Sequence, residues 1–452
     1  PEWGTVSALE PSPHDPATAY LVVDAHRLGD LRPHVWKTAD YGRTWKSLAP
    51  GLAGDVYARV LREDPRQRGH LFLGTERGLM RSTDDGATWQ PLKLGLPTVS
   101  VSGIVIKGDD LVVGTMGRSV FILDDISPLR ELTPQVVASP AHLFAPRPAR
   151  RWRYGWAPRE AGSHANRPRG AILHYWLKDK AQADLKLEIR DAQGRLVRTL
   201  TSKAEEREWP ADDPDSESDE APKPDLANEP GVQRVVWDLA WQAPERIRGA
   251  RIDTGDARSG LPALPGEYTL TLTVDGRALT APLTVEPDPR VKLAAAGLER
   301  QLAFSHELRD AISSVSRSVA RLRSIRSQLQ SRVELARGQE RLAGLVTAAQ
   351  ALVARCDALE ERLHNPRARV TYDILAQKGG ARLYSRLIFL YENLNDSDGP
   401  PTQGMREVFD EQRRELEALR SELEGGLLKD LEALNREART LDLPLVADPG
   451  PK

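Results

Sequence analysis

The chain has 452 residues, and 63 Lys and Arg against 65 Asp and Glu give a formal net charge of −2. This length predicts roughly two to four domains, and the near-neutral charge argues against nucleic acid or an anionic membrane surface as a partner. The single cysteine, Cys356, excludes an intrachain disulfide, and no unbroken apolar run reaches the roughly 18 residues of a membrane span.

A short turn motif occurs twice near the start of the chain, and Asp84 follows Asp40 by 44 positions. In this motif an Asp accepts backbone hydrogen bonds, a Gly takes a positive φ, and a Trp anchors the turn in a sheet. The pattern predicts structural Asp-box turns that lock hairpins rather than catalyse, formed by Thr38, Asp40, Gly42, Thr44 and Trp45 and by Ser82, Asp84, Gly86, Thr88 and Trp89.

Residues 1–133 contain three units of alternating strands, and a repeat of this length is typical of one four-stranded propeller blade. Asp124 falls near the Asp-box position of the third unit, but no Gly-x-Thr-Trp follows it, as suits a terminal unit. Three blades cannot close a ring of about four to eight blades. We therefore expect the remaining blades upstream of Pro1, since the chain opens without Met; a partner chain is the alternative.

The runs His34–Trp45, Gly74–Leu79 and Gly114–Asp125 resemble the end of a sortilin-type Asp-box (BNR-repeat) β-propeller. They resemble in particular large bacterial proteins often labelled glycosyl hydrolases. This resemblance implies a secreted or periplasmic location and a protein or peptide ligand. The family commonly has His where Met116 stands here, so no polar role is carried over to that position.

Six polar side chains in residues 1–133 are candidates to face a propeller channel or rim: Asp24, His26, His34, Asp64, Glu76 and Arg118. Ordinary blade residues are the alternative for each. Glycoside hydrolysis needs two carboxylates, or a Tyr nucleophile with its partners, and these blades show no such set. The histidines have no metal-ligand spacing, so the sequence predicts no catalytic residues, no metal site and no cofactor, and it identifies no binding residue.

A Pro- and Arg-rich linker is predicted at 134–168, where Arg147, Arg150, Arg151 and Arg153 form a solvated basic cluster or an anion site. Short alternating strands with tight turns follow, and residues 169–290 are predicted to form an immunoglobulin-like β-sandwich. The run Pro265–Leu270 resembles sandwich domains found behind such propellers. The acidic stretch 203–230 is predicted to be a disordered loop, with a calcium loop as the alternative.

From 291 to 452 the apolar period becomes helical and predicts an antiparallel bundle of long helices. Thr402 is a candidate N-cap after Pro400-Pro401, and Gly425-Gly426 should weaken the last helix. Cys356 lies on an apolar stripe and is interpreted as a buried, inert thiol. The first helix carries a basic face that is either solvated or docks an acidic surface, made by Arg317, Arg321, Arg323, Arg326, Arg332 and Arg337.

Together these patterns predict a multidomain chain that is β first and α last: terminal Asp-box propeller blades, a sandwich and a helical bundle. The leading hypothesis is a non-catalytic protein- or peptide-binding or scaffolding segment. One alternative is an accessory part of a glycoside hydrolase whose catalytic residues lie upstream. The other is an assembly module that docks a partner or dimerises through its helices.

Overall fold

A computed structural model of the chain describes residues 1–93, 95–152, 167–206, 223–252, 255–292, 294–370 and 379–450. Two sequence-based predictions therefore fall partly outside the described residues. They are the second half of the Pro- and Arg-rich linker, at 153–166, which includes Arg153, and most of the acidic stretch, at 207–222.

The first part of the chain forms three successive antiparallel sheets in which neighbouring strands follow one another along the sequence. The first sheet contains β1 (Thr5–Pro11), β2 (Ala19–Asp24), β3 (His34–Thr38) and β4 (Lys46–Ser47). The second contains β5 (Ala58–Glu63), β6 (Leu71–Thr75), β7 (Gly78–Ser82) and β8 (Gln90–Pro91). The third has three strands, β9 (Val101–Lys107), β10 (Asp110–Thr115) and β11 (Val120–Leu123).

The three sheets stack face to face through two separate apolar cores. Val22 and Val35 of the first sheet pack against the second sheet, where Leu61 and Leu73 lie. The opposite face of the second sheet, including Phe72, packs against the third sheet. Two four-stranded meanders and a three-stranded one, stacked in this way, fit a partial propeller.

Two further sheets share one hydrophobic core. The smaller has three strands, β12 (Ala141–Leu143), β14 (Ala171–Leu177) and β17 (Gly231–Trp237). The larger has five strands, β13 (Ala149–Arg150), β15 (Lys186–Asp191), β16 (Leu196–Thr201), β18 (Gly266–Val274) and β19 (Arg277–Glu286). Trp237 of the smaller sheet meets Tyr268 of the larger edge to face, with ring centroids 5.2 Å apart. The immunoglobulin-like assignment stays a prediction.

The segment predicted as a linker contains regular structure. It follows the short helix α1 (Ser127–Glu131) and contributes α2 (Pro134–Ala138) and strands β12 and β13. Its arginines form ion pairs within the molecule, because Arg147 contacts Asp110 at 2.7 Å and Arg151 contacts Asp398 at 2.6 Å. Arg147 and Arg151 are therefore paired and largely shielded from solvent, whereas Arg150 is exposed and pairs with Glu286 on the surface.

The C-terminal part is helical, as the 3.6-residue period predicts. Its helices are α3 (Ala295–Ala336), α4 (Ala343–Leu363), α5 (Leu383–Asn395), α6 (Gln403–Glu422) and α7 (Leu428–Thr440). The Thr402 side chain accepts a hydrogen bond from the backbone N–H of Met405, which confirms the predicted N-cap. A π-helical turn, Leu423–Leu427, separates α6 from α7 at the two glycines where weakening is predicted.

The helices share one continuous core with the two sheets before them. The 42-residue α3 supplies its longest apolar stripe, with Leu308, Ile312, Leu322 and Leu329 fully buried. Polar contacts join the same elements, since Ser316 on α3 donates a hydrogen bond to the Glu245 carbonyl at 2.7 Å. Four arginines of the basic face of α3 are paired with carboxylates elsewhere in the molecule: Arg317 with Glu245, Arg321 with Asp448, Arg323 with Glu360 and Arg326 with Asp357.

Among the described helices, one segment, Glu340–Leu363, is long and apolar enough to cross a membrane by length and composition. This is weak evidence, because the core helix of a water-soluble domain passes the same test. Within this segment Cys356 is fully buried, and burial raises the pKa of its thiol to about 11. The reactive thiolate is therefore disfavoured.

Candidate functional site

The two repeated turns make the same set of hydrogen bonds. In the first, Asp40 accepts from the Thr44 backbone N–H at 2.9 Å and from the Thr44 hydroxyl at 2.6 Å, and Thr38 accepts from the Gly42 N–H at 2.9 Å. Hydrogen bonds from Thr44 and Thr38 lower the pKa of Asp40 to about 2. Asp84, Thr88, Ser82 and Gly86 repeat these contacts in the second turn.

The two tryptophans differ in their surroundings although the turns are alike. Trp45 is 41% exposed, and its indole N–H donates to the Gly42 carbonyl of its own turn at 3.1 Å. Trp89 is buried, and its N–H donates to the Leu48 carbonyl of the first sheet at 2.9 Å. The second turn therefore also joins two sheets.

We expect Asp84→Ala to destabilise the stacked sheets by about 1 kcal/mol, because net contributions of such hydrogen bonds are near that value. The matched variant Asp40→Ala should have a smaller effect, since Trp45 makes no equivalent contact with a neighbouring sheet. Hydrogen exchange at the backbone amides of β2 and β6, which lie in the first and second sheets, would measure the shift in stability caused by each variant. Equal shifts would show that the Trp89 contact does not depend on its turn.

Five of the six polar candidates lie at one end of the three sheets. Asp24 ends β2 and His34 begins β3, while Glu76 lies between β6 and β7 and Arg118 between β10 and β11. His26 follows Asp24 in the same connection. Only Asp64 lies at the opposite end, beside the Asp-box turns, because it follows β5. We call the first of these the hairpin end.

A polar cluster at the hairpin end joins the first two sheets. The His26 ring stacks on Tyr57 with centroids 4.6 Å apart, and its Nδ1 lies 2.5 Å from Asp24 Oδ1. Arg59 donates to the Tyr57 hydroxyl at 3.0 Å and approaches Asp24 at 3.6 Å. Burial raises the pKa of Asp24, but hydrogen bonds from His26 and the charge of Arg59 outweigh it and lower the pKa overall.

This cluster combines one carboxylate with hydrogen-bond donors that suit an anionic group. It contains one carboxylate, Asp24, whereas glycoside hydrolysis uses two. Its cations, Arg59 and His26 when protonated, are donors suited to a carboxylate. Sequence analysis missed Tyr57 and Arg59, because nothing in the sequence places the start of β5 beside the end of β2.

At the opposite end, Asp64 lies in a buried ionic network. Its carboxylate accepts from Arg130 Nε at 2.8 Å and from His70 Nδ1 at 3.2 Å, and both Asp64 and His70 are fully buried. Arg81 Nε donates to His70 Nε2 at 2.8 Å. Because Nε2 accepts this hydrogen bond, the proton of a neutral His70 is on Nδ1. Burial lowers the pKa of the His70 ring. The network connects α1 to the second sheet, because Arg130 lies in α1 and Arg81 lies in β7.

Rows of solvent-exposed and half-buried apolar side chains lie on the two outermost faces of the stacked sheets. On the third sheet Val105, Val112 and Ile122 lie side by side across the strands, and Ile122 is 60% exposed. On the first sheet Leu9, Leu21 and Trp36 form a similar row, and Leu9 is 62% exposed. We call these the trailing face and the leading face.

The strand register shows which positions of the second sheet correspond to the residues of these two rows. Leu9, Leu21 and Trp36 occupy in the first sheet the places of Leu61, Leu73 and Met80 in the second, and those three pack against the first sheet. Matching Gly74-Thr75 with Gly114-Thr115 places Val112 where the second sheet has Phe72, which is fully buried against the third sheet. The leading row therefore has the register of a row that packs between sheets, whereas in the trailing row only Val112 has a buried apolar counterpart, since Val105 and Ile122 correspond to Arg62 and Arg81.

No protein-family model matches this sequence, and no curated protein matches it. Solved structures with some likeness include YCF48 bound to D1 peptide, at 10% identity over 62% of this chain and 67% of that chain, with a TM-score of 0.20. The GH74 enzyme of Niastella koreensis gives 12% identity over 62% of this chain and 46% of its own, with a TM-score of 0.22.

A third structure is the extracellular domain of the hybrid two-component system BT4673 from B. thetaiotaomicron. It gives 10% identity over 60% of this chain and 30% of its own, with a TM-score of 0.19. This chain thus spans less than half of the second and third structures. TM-scores this low carry no argument, so the propeller-like arrangement rests on the sheets of the chain itself.

Proposed function

We propose that this chain is a non-catalytic scaffolding and protein-binding segment whose leading and trailing faces pack against further β-sheets of the same repeat. The observation that carries the proposal is the register of the exposed rows. The leading row occupies the position of Leu61, Leu73 and Met80, which pack between the first two sheets, and Val112 at the centre of the trailing row occupies the position of the buried Phe72.

Burial of such rows has a clear driving force. A fully buried Val, Leu or Ile side chain contributes about 1.5–3 kcal/mol relative to an exposed one, and contiguous exposed apolar patches mark interaction surfaces. Among the described residues, the third sheet also has no counterpart of the short fourth strand that β4 and β8 add to the first two sheets. Its β11 edge can accept one more strand, as unpaired sheet edges do.

Three finer assignments are part of the same proposal. The packing sheets are Asp-box blades from the same polypeptide, as the resemblance to sortilin-type propellers implies. The location is secreted or periplasmic on the same ground. The hairpin-end cluster of Asp24, His26, Tyr57 and Arg59 faces the peptide ligand.

Site-specific photocrosslinking tests the packing of the trailing face. With p-benzoylphenylalanine at Ile122 in the protein made in its native cells, we expect a crosslink to a β-sheet segment that carries the Ser/Thr-x-Asp-x-Gly-x-Thr-Trp motif. Sequencing the crosslinked peptide by mass spectrometry distinguishes a segment of the same polypeptide from one of a separate chain.

The same photoreactive residue at Val137 is the matched control, because this side chain on α2 is also exposed but belongs to no sheet. We expect no β-sheet crosslink from this position. If Ile122 and Val137 give the same products, or if Ile122 reacts with water alone, the trailing face is not packed and the scaffolding proposal fails.

A further inference from the structure

An apolar groove lies between α5 and α6, far along the chain from the stacked sheets. Its volume is about 500 Å³, within the roughly 300–1,000 Å³ of ligand pockets. Apolar side chains from both helices line it: Phe389 and Leu390 from α5 and Met405 and Val408 from α6. Phe389 is 52% exposed, whereas the neighbouring Leu387 and Ile388 are fully buried.

A buried amide marks one end of the groove. Gln412 lines it and is only 5% exposed, yet in the described part of the chain its buried side-chain Oε1 has no hydrogen-bond partner. An amide buried without a partner costs about 1–3 kcal/mol. A half-turn about χ3 exchanges the amide nitrogen and oxygen, so Gln412 can offer a donor or an acceptor to an occupant.

Arg386 supplies a second polar group in the groove wall. Glu415 on α6 holds its terminal Nη2 at 2.6 Å and 2.8 Å, which bridges the two helices beside Gln412. The Nε–H of Arg386 has no acceptor among the described atoms. The groove therefore combines apolar walls with unsatisfied groups that match an amide.

We propose that this groove binds an extended peptide segment, with one bulky apolar side chain between Phe389 and Val408 and a backbone amide on Gln412. A helix is the poorer fit, because its backbone N–H and C=O groups are already paired within the helix. An extended chain offers free amides at the same place as its side chains. This site is independent of the leading and trailing faces.

Methionine-methyl NMR of the full 452-residue chain tests the proposal, because the protein has three Met residues. Met405 reports the groove, while Met80 in β7 and Met116 after β10 serve as internal controls. The probe is acetyl-Ala-Phe-Ala-amide, and acetyl-Ala-Ser-Ala-amide is the polar control. We expect the Phe peptide to cause a saturable chemical-shift change of the Met405 methyl signal and no change at Met80 or Met116. The Ser peptide should change none of the three signals.

Variants separate the apolar and the amide contributions. Val408→Glu should abolish the Met405 shift, while Ala418→Glu, on an exposed position of the same helix, should leave it unchanged. Gln412→Leu keeps a side chain of similar size without the amide, and we expect it to weaken binding about fivefold, the value of one net hydrogen bond. An unchanged helical circular-dichroism melting curve verifies that the helical part of each variant is folded.

Three outcomes would overturn the proposal. The first is no Met405 shift at millimolar Phe peptide. The second is equal binding of the Phe peptide by wild type and Gln412→Leu, because the groove would then be an apolar pocket without amide recognition. The third is a Met405 signal that changes with protein concentration in the absence of peptide, since a second copy of the chain would then occupy the groove.

Discussion

Asp64→Asn is expected to destabilise the contact between the second sheet and α1 by about 3 kcal/mol. Breaking a buried ion pair typically costs about 3–5 kcal/mol. We expect the lower end of this energy range, because in the variant Arg130 still pairs with Asp109. Since a multidomain chain does not unfold in one step, hydrogen exchange at the amides of β6 measures the loss where it occurs.

Asp55→Asn is the matched control for this charge removal. Asp55 is exposed and pairs with Arg77 at 3.0 Å on the surface, where such pairs contribute about 1 kcal/mol or less. If Asp64→Asn changes the exchange of β6 no more than Asp55→Asn does, the buried network does not hold the second sheet and α1 together.

Lowering the pH should remove the stabilisation that the buried Asp64 network provides, and it should do so in two stages. Burial lowers the pKa of His70, so the unfolded chain takes up a proton first as the pH falls below the usual histidine value of about 6.5. Burial raises the pKa of Asp64, but hydrogen bonds from His70 and Arg130 lower it well below its usual range. Its contribution is complete above about pH 3.9 and is lost as the pH falls further.

Glu360→Gln is expected to have the largest effect in the helical part, about 3–5 kcal/mol. The Glu360 carboxylate is only 3% exposed and accepts from Arg323 Nε at 2.7 Å and from Arg326 at 3.0 Å. His364 Nε2 lies 2.9 Å away. The variant would leave two arginines of α3 without their buried counter-charge, so the helical circular-dichroism signal should melt at a lower temperature.

The pH dependence of the wild type provides an independent check on Glu360. Burial raises its pKa, but hydrogen bonds from His364 and Arg323 lower it to about 2 from an ordinary value of 4.5. A carboxylate with a lowered folded pKa stabilises above its unfolded pKa and loses that effect as the pH falls to the folded value. We expect wild type to lose helical stability between pH 4.5 and about 2, and Glu360→Gln to lack this step.

Asp357→Asn is the control, because Asp357 is 49% exposed and also contacts Arg326 on α3, at 2.7 Å. Its effect should stay below about 1 kcal/mol. Equal melting temperatures for Glu360→Gln and wild type would mean that apolar packing alone holds α3 to α4.

Local chemistry allowed much of the architecture to be predicted from the sequence. The N-cap at Thr402, the weakening at Gly425-Gly426 and the helical period are short-range patterns, because each depends on residues within about one helical turn. The 44-residue repeat likewise predicted successive antiparallel sheets, because this length is typical of one four-stranded propeller blade. The strands β12 and β13 were missed because proline-rich extended segments read as linker until a sheet edge pairs with them.

Only the tertiary structure decided which polar residues act together. Asp64 and Arg130 lie 66 residues apart in the chain, and the Arg323–Glu360 pair joins two helices, so no local pattern connects these partners. The same holds for the hairpin-end cluster and for the groove at Gln412. Side-chain identity sets what a group can donate or accept, but packing alone sets whether it is buried, paired or left open to a ligand.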